Sequence, residues 1–100
     1  MTDQLTLGVD ALADAVYWDA HNPEAARLYV QNAKDDVAAG RVPSSDYCAH
    51  IVRRSGLLSR DGKPVVMNDA LTSQLARLYK QRFGIPFATR ESWAERGGKP

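Results

Sequence analysis

The sequence predicts a mainly α domain of about four helices with one short β-hairpin, in a winged helix-turn-helix-like order. Three observations predict it. Apolar residues recur at helical spacing in four separate segments. Capping residues precede these segments and glycines follow them. Between the third and fourth, "GLLSRDGKPVVMND" (residues 56–69) sets Asp61-Gly62 between two short apolar runs, a tight-hairpin pattern.

The first segment, Gly8 to Ala20, carries Val9, Leu12, Ala13, Val16 and Tyr17 as an apolar stripe, with Asp10 and Asp14 on the other side. Tyr17 is expected in the core; Trp18 beside it either stands partly exposed as an interface anchor or, the preferred reading, packs against the second helix or the C-terminal tail. In the second, Asn22 suits an N-cap, Pro23 a first helical position and Glu24 the positive end of the dipole. Ala26, Tyr29, Val30, Ala33 and Val37 form its stripe and Gly40 stops it. The third starts after Pro43 with Ser44 or Ser45 as cap, runs along Tyr47, Cys48, Ile51 and Val52, and ends at Gly56. After the hairpin, Asn68 caps a fourth helix from Asp69 to about Phe83, with Leu71, Leu75, Leu78, Tyr79 and Phe83 on one face. Thr89 to Trp93 can add a further turn. The chain is expected to form one domain over residues 1–94, followed by a flexible tail over 95–100.

One hundred residues, 44% hydrophobic and 25% charged, suit one ordinary globular core. No apolar run has the length of a membrane span, so no membrane partner is expected. "MTDQLTLGVD" lacks the basic-then-apolar order of a signal peptide, and the lone Cys48 excludes an internal disulfide. The expected location is therefore cytoplasmic. The net charge of +1 hides a division between the two parts of the chain. Residues 1–40 hold seven acids and two bases (−5), whereas residues 41–100 hold eleven bases and five acids (+6). Such asymmetry marks either a polyanion-binding face or helices that pair their charges internally.

Few motifs carry chemistry. Cys48 and His50 point in different directions on a helix, and only His21 could join them, so no metal or other cofactor is expected. No phosphate loop, nucleophile elbow or zinc-protease motif occurs, and the chain is not expected to be an enzyme. The arginines are more informative. Arg53 and Arg54 end the third helix, and Arg60 and Lys63 flank the hairpin turn. In a winged helix-turn-helix the third helix enters the major groove and the wing touches the backbone. The expected duplex-DNA contacts are thus Arg53, Arg54, Arg60 and Lys63 on phosphates, with Ser45 and His50 nearest the groove. Asp46 at the helix start repels phosphate, which favours non-specific or structure-based binding over base reading. The alternative is a protein-interaction module or homodimer, using Asp10 and Asp14 with Trp18 as anchor.

"YWDAHNPEAARLY" and "MNDALTSQLARLY" resemble a group of small proteins encoded by actinobacterial phages and prophages. The matching positions are Trp18, Asn22, Pro23, Arg53, Asn68, Ala76, Arg77 and Leu78. This chain departs from the group in having one Asn where several are common, and in its acidic first helix. The group has no settled activity, so the resemblance implies phage or prophage origin alone. Together with the basic cluster, it leads to the expectation of a DNA-binding accessory or regulatory protein.

Overall fold

The computed structural model describes residues 2–87, with side chains from residue 12 onward. The chain forms four helices there: α1 (Thr2–His21), α2 (Pro23–Ala38), α3 (Ser45–Ser55) and α4 (Asp69–Phe83). α1 begins earlier than its apolar periodicity suggests. The expected turn at 89–93 and the tail at 95–100 lie outside the described residues. α1 packs mainly on α4, α2 on α3, and α3 also on α4.

A single residue, Asn22, joins α1 to α2. A residue before proline is barred from the helical region, and Asn22 accordingly sits at φ −130° and ψ 61°. Its side chain does not cap α2, as the sequence suggested. Instead both its backbone N–H and Nδ2 donate to the Trp18 carbonyl at 2.9 Å, closing the end of α1. The other caps are as read. Ser44 Oγ accepts from the Tyr47 N–H at 3.2 Å, and Asn68 Oδ1 accepts from the Leu71 N–H at 2.8 Å. Gly56 ends α3 with φ +75°, a conformation costly for side-chain-bearing residues.

α1 is rotated about its axis relative to the expected stripe. Ala15, Trp18 and Asn22 are buried, with Trp18 only 6% exposed, whereas Val16 and Tyr17 are 47% and 65% exposed. The rotation lets the next residue, Asp19, reach α4: Tyr79 Oη donates to Asp19 Oδ1 at 2.7 Å and Arg82 Nη1 to Oδ2 at 2.9 Å. It also turns the indole toward the segment after α3, where Nε1 donates to the Val66 carbonyl at 3.1 Å. Trp18 is therefore core, not the exposed anchor of the alternative reading. Asp14 remains on the outer surface, and the Asp10 side chain lies outside the described residues.

No strand forms among the described residues. Residues 57–67 fold back around Gly62 with a single antiparallel bridge, Leu58 to Pro64, and the Ser59 N–H donates to the Lys63 carbonyl at 2.7 Å. The ladder stops there for a physical reason. Pro64 has no N–H, the Arg60 N–H donates to the His21 carbonyl at 2.7 Å, and the Val66 carbonyl is held by Trp18. The backbone groups that would extend a ribbon are used to dock the turn on α1.

The core centres on an aromatic set. Tyr29 lies against Tyr79 and Phe87, with ring centroids 5.5 and 5.8 Å away. Ile85 and Phe87, beyond the Gly84 helix stop, are both buried. Cys48 is fully buried; burial, then the charge of Asp36, pushes its thiol from an ordinary value of 9.0 up to about 12. Burial also raises both Tyr29 and Tyr79 above the ordinary phenol value.

These three groups set the alkaline limit of the fold. The native state keeps their protons where the unfolded chain would lose them, so stability is intact below the unfolded-chain values and falls as pH rises above about 9. Each group that titrates only in the unfolded chain removes about 1.4 kcal/mol per pH unit. Urea midpoints measured from about pH 8 to about pH 11 should decline progressively. A flat profile would contradict the burial of these groups.

Candidate nucleic-acid interface

The outer surface of α3 is built by its own periodicity. Cys48, Ala49 and Val52 face the core, so Asp46, Tyr47, His50, Arg53 and Arg54 fall on the solvent side. Ser45 does not share that surface. It is half-buried at the inner side of the first turn, near the buried Tyr29. Tyr29 Oη is itself buried with no hydrogen-bond partner. Of the two residues expected nearest a groove, only His50 is therefore presented to solvent.

Tyr47, expected in the core, is 53% exposed and stands on the solvent side with His50 and the arginines. The sequence held a signal for this. Cys48 and Val52 are spaced i, i+4, and adding Ala49 rather than Tyr47 completes an inward stripe of small groups that suits close approach to α2. An exposed tyrosine among cations provides a flat, amphipathic contact for sugar or base.

The second part of the surface is the 59–63 turn. Arg60 and Lys63 are exposed, and the Arg60 N–H bond to His21 fixes the turn to the end of α1. His21 is held in turn: its Nδ1 lies 2.9 Å from the Tyr17 carbonyl, an acceptor, and its ring stacks on Tyr17 at 3.8 Å. Five residues lie between Arg54 and Arg60, so the chain keeps their Cα atoms within about 22 Å of one another. That span is comparable to a few phosphates of a duplex strand.

Charge pairing leaves these four cations available. Among the described residues, Arg41 pairs with Asp36 at 2.8 Å and Arg82 with Asp19 at 2.9 Å. Arg53, Arg54, Arg60 and Lys63 have no carboxylate partner there. The acids Asp19 and Asp36 of the first forty residues are committed elsewhere. Arg53 and Arg54 also suit the negative end of the α3 dipole, a contribution to helix stability that needs no ligand.

Among the described residues, no group of three or more His, Cys, Asp or Glu could hold a metal ion. No helix there is long and apolar enough to cross a membrane. The chain matches no protein-family model, no curated protein and no solved structure.

Proposed function

We propose that the protein binds duplex DNA through the outer side of α3 and the 59–63 turn, contacting the backbone without reading sequence. The observation that carries this reading is the set of four exposed cations, Arg53, Arg54, Arg60 and Lys63, none engaged by a carboxylate among the described residues. Each can neutralise a phosphate and release a counterion, and guanidinium groups do so with two hydrogen bonds. Tyr47 and His50 add contacts between them. Asp46 repels phosphate at the α3 N-terminus, where a sequence reader normally places its base contacts.

α2 and α3 pack on one another across a six-residue connection, 39–44, longer than the usual helix-turn-helix turn, and in this reading the docked turn would serve where a winged helix-turn-helix carries its wing. Its short reach suits backbone contact at one point. An accessory or regulatory protein of phage or prophage type, acting in the cytoplasm, is the role that fits.

A second reading rests on α1. Ala13, Val16, Tyr17 and Ala20 form an exposed apolar stripe beside Asp14, which suits a protein partner or a second copy. The two readings separate in one pair of experiments. Fluorescence anisotropy with random-sequence duplex should give binding that weakens about equally for every sequence in Arg53→Ala and Arg60→Ala. No measurable affinity at low salt, together with a nuclease-resistant partner in a pull-down, would replace DNA by protein.

A further inference from the structure

Away from the α3 surface, an open groove of about 380 Å³ runs between α2 and α4, bounded at one end by Asp19 of α1. Its floor is apolar: Ala26 and Val30 are buried, and Phe83 closes one side while remaining 46% exposed. Three cations, Arg27, Lys34 and Arg82, line it against the single carboxylate of Asp19. That carboxylate is already occupied, accepting from Tyr79 Oη and Arg82 Nη1. Lys34 Nζ sits 5.1 Å from the centre of the Phe83 ring, and Arg27 has no partner among the described residues. On the same helix Asp35 is engaged by Gln31 Nε2 at 2.9 Å, and Glu24, one turn before Arg27, makes no ion pair with it among the described residues.

We propose that this groove docks an acidic amphipathic helix of a partner protein. An aliphatic or aromatic side chain of the partner fills the space over Val30 and Phe83, and its flanking carboxylates meet Arg27 and Lys34. The volume holds one or two such side chains. An apolar strip rimmed by unmatched positive charge is complementary to a helix with one apolar and one acidic face. A nucleic-acid strand fits less well, because the floor beside Phe83 is formed by the aliphatic Ala26 and Val30, which offer no stacking face.

The probe is a fluorescein-labelled helical peptide with Leu and Phe on one face and Glu on the other, titrated with the intact protein. Matched peptides carry Gln or Lys in place of Glu. The Glu peptide should bind, with amide shifts at Arg27, Gln31, Lys34 and Phe83, and the Gln and Lys peptides should bind at least about tenfold more weakly. Arg27→Glu with Lys34→Glu, both exposed positions, should cost about tenfold or more with an unchanged circular dichroism spectrum. Phe83→Ala should weaken the peptide while leaving duplex affinity unchanged. Equal binding of all three peptides, shifts confined to α3 and the turn, or displacement by single-stranded DNA would overturn the proposal. So would concentration-dependent self-association abolished by Arg27→Glu, which would make the occupant a second copy.

Discussion

Trp18→Ala should lower stability by about 3–5 kcal/mol, while the neighbouring Tyr17→Ala should change it by less than about 1 kcal/mol. The indole is 6% exposed and its removal leaves a cavity between α1 and the 57–67 segment. It also releases the Val66 carbonyl from Nε1, removing about 1 kcal/mol of hydrogen bonding. Against a typical domain stability of 5–15 kcal/mol, such a loss is a large fraction of the total. In a domain of this size it corresponds to a melting temperature lower by roughly 15–30 °C. Trp18→Phe should recover most of the packing but not the bond, leaving the turn less protected from hydrogen exchange. Tyr17 is 65% exposed and loses little beyond its stacking on His21. Urea denaturation followed by circular dichroism compares the three variants, and equal losses at Trp18 and Tyr17 would contradict the observed rotation of α1.

Replacing Arg53, Arg54, Arg60 and Lys63 together by Gln should remove most duplex affinity without unfolding the domain. All four side chains are exposed and none holds an acid among the described residues, so their structural cost is confined to the dipole contribution of the two in α3. Non-specific affinity, by contrast, comes almost wholly from such charges. At low salt the loss should reach about a hundredfold or more. A variant that keeps its thermal transition but loses the duplex separates binding from folding. Arg27→Gln with Lys34→Gln, in the α2–α4 groove, removes two cations away from the proposed contact surface and should retain the duplex.

Local chemistry made much of the fold legible. Ser44, Asn68, Gly56 and Gly84 mark helix ends because each satisfies backbone groups within a few residues, so no distant partner decides them. The buried line of α2, Ala26, Tyr29, Val30 and Ala33, follows from spacing alone. α1 was not legible in the same way. Leu12, Ala13, Ala15, Val16, Tyr17 and Trp18 permit two apolar stripes, and the choice rests on Tyr79 and Arg82, sixty and sixty-three residues away from Asp19. The ribbon failed to extend for a similar reason, since its N–H and carbonyl groups found partners on α1. Ile85 and Phe87 carry no periodic signal because they follow a helix stop, yet the aromatic core needed Phe87 to cover Tyr29. At the candidate interface the four cations were visible from sequence. Tyr47 and Ser45 exchanged places because an inward line of Cys48, Ala49 and Val52 packs α3 more closely than one containing Tyr47.

The salt dependence of duplex affinity tests the DNA reading most directly. Four phosphate contacts give a log–log slope of about −3.6, so raising NaCl from about 50 to about 200 mM should weaken the intact protein roughly 150-fold. The fourfold Gln variant should lose nearly all of that slope. A slope that stays the same in the variant, or affinity indifferent to salt in the intact protein, would show that these side chains do not hold a duplex.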